Sequence, residues 1–226
     1  LIISEYVEGS SYNKAIELYN GTGSSIDLSN YSLKKQTIGA GNFGDELTLS
    51  GTLANNDTYV IVSNGGTPNL SGNTWVDLAT NSQALNFNGN DAVALYKNGV
   101  QLDVVGVVNQ TSDWGKDVTL VRKSSVTSPT TSYSTDQWDS FAIDTFTYLG
   151  SHTMDSSTSY VSGYQNKDVG NVTSYEVSGL NSNTTYYYVV RAYNDNGSSA
   201  NSNEISVTTT SATLPVELSA FTANIN

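Results

Sequence analysis

Apolar and polar positions alternate along most of the chain with a period of two, and no long stretch shows the 3.6-residue period of an amphipathic helix. The clearest case runs from Asp91 to Tyr96, where Val93 and Leu95 fall on one face and Ala92, Ala94 and Tyr96 on the other. Asn98-Gly99 follows, a pair that tolerates the positive φ a type I′ turn needs at both central positions, and Val100 to Gly106 returns as a partner strand. The stretch from Ala84 to Gly106 therefore reads as a β-hairpin. Asp91 opens it, and Asp103 lies in its second strand with no base beside it in sequence, which marks the hairpin as scaffold.

The same pattern places strands at Leu1 to Gly9 and Lys14 to Tyr19. Ile26, Leu28, Tyr31 and Leu33 supply core contacts around a Ser29-Asn30 turn. The glycine-rich GAGNFGDE lacks the following helix and lysine of a phosphate-binding loop and reads as a connection. Further strands are expected at Leu47 to Leu53, Thr58 to Val62 and Val118 to Arg122, with a short apolar stretch at Trp75 to Leu78 and a surface loop at Ser124 to Thr135. Trp138, Phe141, Ile143, Phe146, Tyr148 and Leu149 form a last apolar cluster before GSHT.

Composition sharpens this all-β reading. The 226 residues are 37% hydrophobic, enough for one large or two small cores. Fifteen Tyr and three Pro favour strands, and the charged fraction of 13% leaves a surface of Ser, Thr, Asn and Gly. A net charge of −12 repels phosphate backbones, so nucleic acid is not an expected partner. The absence of Cys removes disulfides, thiol chemistry and Cys-based zinc sites. No apolar run reaches the roughly 18 residues of a membrane helix, so membrane insertion is not expected. Neither an initiator Met nor a signal peptide opens the chain, and Leu1 lies within a strand pattern, as in a processed or trimmed chain.

Several blocks together resemble a bacterial lamin tail domain over residues 1–153: LIISEYVEGSSYNKAIELYNGTGSSIDLSNYSL, NGNDAVALYKNG with LDVVG, TLVRK, and Trp138 with DTFTYLGSHT. The resemblance implies an immunoglobulin-like β-sandwich and an accessory or interaction module of secreted nucleases, other hydrolases or surface proteins. Residues 155–210 resemble the second half of a fibronectin type III module, through Leu180, Thr184, Tyr186, Tyr188, Val190 and Ala192 and the closing SNEISVTT. In such a sandwich Tyr186 is the corner tyrosine whose hydroxyl bonds back to the backbone. The expected second unit is thus an incomplete fibronectin type III-like β-sandwich. Either about thirty residues are absent between Gly150 and Tyr160, the favoured reading, or the open face is covered by the first module or by a strand of another copy. Residues 211–226 read as a linker and the start of a further module, where LPVELSAFTANIN resembles the region before the sorting signal of type IX secretion substrates.

Candidates for chemistry are few. His152 is the single His, so a serine triad would have to use it, but its place in GSHT suits capping or packing, and a His-rich zinc centre is excluded by count. Asp113 with Asp117 and Asp136 with Asp139 are carboxylate pairs in polar loops that leave them solvated. Calcium is the better inorganic candidate. Asn86, Asn88, Asn90 and Asp91 surround Gly89, and Asp195 lies in the turn Asn194 to Gly197, yet neither loop has calcium-loop spacing or enough carboxylates. Tyr12, Trp75, Trp114, Tyr133 and Trp138 are candidates for a sugar-stacking platform, against core packing. The Asn-x-Ser/Thr triplets at Asn20, Asn109 and Asn183 are chance in such a composition.

The sequence thus points to a non-catalytic extracellular adhesion, spacer or partner-binding segment of a larger secreted bacterial protein, needing no cofactor beyond possible calcium. Its expected partners are protein or polysaccharide at the cell surface, with self-association through strand addition. One alternative is the accessory region of a secreted nuclease or other hydrolase whose catalytic domain lies elsewhere. Another is a structural subunit of a cell-surface fibre.

Overall fold

In a computed structural model, which describes residues 1–37, 41–66, 70–155, 160–194 and 197–210 and the backbone of 216–218, the alternating stretches pair almost wholly antiparallel. The chain divides into two compact units, Leu1–Ser157 and Thr158–Asn226. Among the described residues no helix is long and apolar enough to cross a membrane.

The first unit contains β1 (Ile2–Glu8), β2 (Lys14–Tyr19), β3 (Ile26–Asp27), β4 (Tyr31–Gln36), β5 (Asp45–Thr48) and β6 (Thr52–Leu53). It continues through β7 (Thr58–Ser63), β8 (Leu78–Thr80), β9 (Ala92–Lys97), β10 (Val100–Val105), β11 (Val118–Arg122) and β12 (Trp138–Ala142). Six strands form one sheet in the order β12-β11-β1-β2-β7-β8, and four form another in the order β10-β9-β4-β5. The register aligns Tyr6 with Leu120 and Ile16, and Ile16 with Ile61, so these four share a face. That face joins Leu33, Val93 and Leu95 of the smaller sheet in one buried cluster, which makes the unit an all-β, immunoglobulin-like sandwich.

The hairpin forms as its turn residues require. Val100 pairs with Lys97, and Asn98 and Gly99 adopt φ of 49° and 77°. Val93 and Leu95 enter the main core, while Ala92 and Ala94 pack with Val104, Phe43, Tyr96 and Tyr133 on the other face. Ala84 to Asp91 is not strand, because Ser82 caps a 3-10 turn at Gln83–Leu85 through Ala84 N–H.

Four other expectations shift. The run Leu47 to Leu53 splits into β5 and β6 around Gly51, whose φ of 96° breaks the strand. Asp45 and Glu46 of the glycine-rich stretch begin β5, aligned with Lys35 and Lys34; residues 39 and 40 of that stretch lie outside the described residues. The strand after Trp75 is β8, running parallel to β7. In the last apolar cluster only Trp138 and Leu149 are buried, whereas Ile143 and Tyr148 are exposed because the chain after β12 runs over the surface.

The outer face of the six-stranded sheet is buried too. Val7, Ala15, Val60 and Val62 lie under Leu70 and Leu149, with Trp75, Val76 and Phe146 packed alongside. A second layer of loops, rather than solvent, meets this face.

The second unit contains β13 (Tyr175–Val177), β14 (Thr185–Tyr188), β15 (Tyr193–Asn194), β16 (Gly197–Ser198), β17 (Ile205–Thr208) and β18 (Val216–Leu218). They pair two by two, β13 with β18, β14 with β17 and β15 with β16. Among its described side chains only Val177 is buried, while Tyr160 and Val190 are exposed. Tyr186 Oη accepts the Asn181 N–H at 2.8 Å, the backbone bond expected of a corner tyrosine. Residues 156–159, in the window of the postulated omission, lie outside the described residues.

Candidate functional site: an aromatic cleft beside β11 and β12

The inner face of β11 and β12 is not fully covered by the smaller sheet, and two loops wall the remaining space. Trp114 comes from one and Tyr133 from the other, with Trp138 at the base. The cleft measures about 260 Å³ and is floored by Val118 and Leu120, with Lys116, Thr135 and Ser140 also lining it.

Each ring is positioned by a distinct device. The N–H groups of Trp114 and Gly115 both donate to Gly89 O at 2.9 Å, which fixes the loop. The Trp114 ring lies flat against Gly106, where an added Cβ would sit 2.2 Å from Cζ2, so only glycine fits beneath the indole. Tyr6 flanks Trp114 at 5.1 Å between centroids, and Tyr133 stands 5.3 Å from Trp114 and 6.4 Å from Trp138. The indole nitrogens of Trp114 and Trp138 are buried without a hydrogen-bond partner among the described residues.

Behind Trp138 lies a buried ion pair. The Arg122 guanidinium stacks on its ring at 4.6 Å and meets Asp103 at 3.3 Å, both side chains being fully buried. Asp103 also accepts the N–H of Ile3 at 2.8 Å and of Thr130 at 2.9 Å. Burial pushes the Asp103 carboxyl up, and Arg122 and these backbone bonds pull it back. So the sequence reading of Asp103 as an isolated acid is corrected: its partner comes from another strand. The loop Ser124 to Thr135 is likewise more than a surface connection, since Thr130 holds Asp103 and Tyr133 walls the cleft.

Residues 1–109 match the Lamin Tail Domain family. No curated protein matches the chain. The lamin tail match spans β1 to β10, whereas β11 and β12, which complete its larger sheet, lie beyond it. Floor and walls of the cleft alike, from Trp114 to Ser140, therefore lie C-terminal to the match.

Of the five aromatic residues singled out in the sequence, the sandwich of the first unit brings Trp114, Tyr133 and Trp138 together. Tyr12 is exposed on the β1–β2 turn against Gly65, and Trp75 packs against Gly150 on the outer face. His152 meets the Tyr19 ring edge-on at 4.9 Å, and burial pushes its pKa down to about 4, so it is a packing residue. Asp113 pairs with Lys116 at 3.6 Å, while Asp117 donates its backbone N–H to Glu8. Asp136 and Asp139 are exposed. No His, Asp or Glu lines the cleft.

The calcium candidates are organised around a lysine. Lys35 Nζ lies 3.8 Å from Asp91, 3.3 Å from Asp45 and 3.0 Å from Asn86 O, so an ammonium already stands among these oxygens. Asn88 is exposed and Asn90 half-buried; Asp195 lies outside the described residues. Among the described residues no group of three or more His, Asp or Glu is spaced to hold a metal. Asn20 is buried and its amide donates to the carbonyls of Ser24, Leu53 and Ala54, which removes it as a glycan acceptor.

Two outer-face carboxyls escaped the sequence reading because strand alternation assigns them to solvent. Glu5 and Glu17 are cross-strand partners and both buried. Burial, then the neighbouring Glu17, pushes Glu5 from 4.5 up to about 9. Burial pushes Glu17 up to about 7 against the bonds it accepts from Ser4, Gly150 and Ser151. Both folded values are raised, so their contribution is full below the unfolded pKa and is lost as pH rises through about 7 and then about 9. His152 is lowered, so its contribution is present above its ordinary value of 6.5 and lost as pH falls through about 4. The melting temperature should therefore peak near about pH 5 and fall by roughly 5 °C or more towards about pH 9. Calorimetry over that range checks this; a maximum at neutral pH would contradict it.

Proposed function

We propose that the chain is a non-catalytic extracellular binding segment of a larger secreted bacterial protein, and that it engages polysaccharide through the aromatic cleft. The observation that carries this reading is the lining of the cleft: three aromatic rings, the hydroxyls of Thr135 and Ser140 and the Lys116 side chain, with no carboxylate or imidazole among them. Aromatic faces suit the apolar face of a sugar ring, and Thr135 and Ser140 offer hydrogen bonds at its rim. A space of about 260 Å³ lies below the roughly 300–1,000 Å³ of drug-sized ligand sites, so it takes a single ring of a longer chain. The net charge of −12 favours a neutral polymer over an acidic one.

Two buried ion pairs support the same reading, because Lys14 with Glu8 and Arg122 with Asp103 neutralise each other. The match to the lamin tail family and the acidic, charge-poor, Cys-free composition fit an accessory role outside the cell. A binding screen against neutral and acidic polysaccharides, with calcium and with chelator, tests the proposal. Neutral polysaccharide should be retained in both conditions, and Trp114→Ala should weaken binding by about tenfold, the worth of one stacked ring. Retention unchanged by Trp114→Ala, or the absence of any retained polymer, would count against it.

A further inference from the structure

The outer face of the six-stranded sheet holds a buried carboxyl that neither packing nor binding explains. Glu5 is 1% exposed, and neither of its carboxyl oxygens has a hydrogen-bond partner among the described residues. A buried, unpaired polar group carries a desolvation penalty that an apolar side chain at the same position would avoid.

The segment 149–155 packs on the same face. Leu149 packs with Val7, Ala15, Val60 and Val62. Gly150, at φ +90°, lies against Trp75, and its N–H donates to Glu17 Oε2 at 2.7 Å. His152 rests on Tyr19, Met154 packs on Gly21, and the Asp155 N–H bonds Ser124 O at 2.7 Å. The segment is thus fastened to β2 at Glu17 and again just past the end of β11. The strand between β2 and β11 is β1, so the segment passes over β1 as a strap, and Glu5 lies beneath it.

We propose that Glu5 makes the strap a pH-sensitive latch, held closed on the sheet while the carboxyl is neutral and released when it ionises beside Glu17. The groups facing it set the direction. Across β2 is Glu17, which Asp77 in turn feels, and across β11 is the apolar Val121. The strap contributes His152, held neutral by burial, and Arg122 is engaged by Asp103. An ionised Glu5 therefore meets a second carboxylate and, among these groups, no cation free to pair with it, and its solvation requires water to enter where the strap now lies. Glu17, the strap's own anchor through Gly150, stands next to the new charge. The raised pKa of both carboxyls puts the transition between about 7 and about 9.

Amide hydrogen exchange of the full chain at Gly150 and Ser151 tests the latch, with rates corrected for intrinsic pH dependence and referenced to Ile16 in the same sheet. Protection at Gly150 should fall by about tenfold or more between about pH 6.5 and about pH 9.5, while Ile16 stays protected. In Glu5→Gln, which keeps the shape without the charge, protection should be flat over that range. A flat wild-type profile, or the same fall in Glu5→Gln, overturns the proposal. Should Glu5→Gln fail to fold, the side-chain carboxyl resonance of Glu5 in the wild-type chain decides. A midpoint above about 7 supports the latch, and one near 4.5, its ordinary value, refutes it.

Discussion

Asp103→Ala is expected to lower the stability of the sandwich by about 3–5 kcal/mol, because it leaves the Arg122 guanidinium buried and uncompensated. The carboxylate does more than neutralise Arg122. It accepts N–H groups from Ile3 on β1 and Thr130 in the cleft loop, so one side chain on the smaller sheet ties together the larger sheet and the wall of the site. Asp103→Asn keeps the shape but not the charge and should recover only part of the loss. Replacing both members of the pair with apolar residues of similar volume should be much milder than either single change, because no charge is then stranded. Urea unfolding followed by far-ultraviolet circular dichroism measures all three. A single-variant loss below about 1 kcal/mol would mean that water reaches Arg122.

The second large effect is expected at Gly89. Its φ of +93° is one L side chains rarely adopt, and an added Cβ would stand 2.4 Å from Lys116 Cα and 2.6 Å from Lys116 N. Both atoms are backbone and cannot swing aside, so Gly89→Ala must move the loop that carries Trp114. The same residue's carbonyl holds Trp114 and Gly115, and that movement also breaks the hydrogen bonds that place the indole. A loss of about 3 kcal/mol or more is expected, with weakened polysaccharide retention in whatever fraction still folds. Wild-type melting of Gly89→Ala would show that the loop approaches less closely than described.

What the sequence revealed of this fold was what local chemistry encodes. Asn98-Gly99 fixes its own turn and the register beside it, and alternation located β2 and β11 within their observed limits. Long-range pairings were not legible. Asp103 and Arg122 lie on different sheets, and no local pattern announces that one will neutralise the other. Glu5 was not singled out for a different reason: by alternation it falls on the face opposite Tyr6, and only the later chain, folding back as a strap, turns that face into an interior. The cleft shows the same limit. All three of its rings were singled out as aromatic candidates, but their convergence depends on the contacts of Trp114 with Gly106 and Gly89. Asp91 was legible as an acid in a polar loop; its closeness to Lys35 was not, because the lysine arrives from β4.

The place of β1 has a consequence for how the chain reaches its native state. This strand is central in the larger sheet, with β2 on one side and β11 on the other, and Glu8 aligns with Val118 across that second edge. Until the chain extends through Arg122, β1 offers a row of unpaired N–H and C=O groups flanked by Ile3, Tyr6 and Val7, the kind of edge that recruits strands from other molecules. Closing it requires a loop of about a hundred residues, a non-local contact that slows folding towards the range of ms to s seen for other sandwiches. A fragment ending at residue 109, where the family match stops, would keep that edge open permanently, so the aggregation-resistant unit is longer than the segment by which the family is recognised.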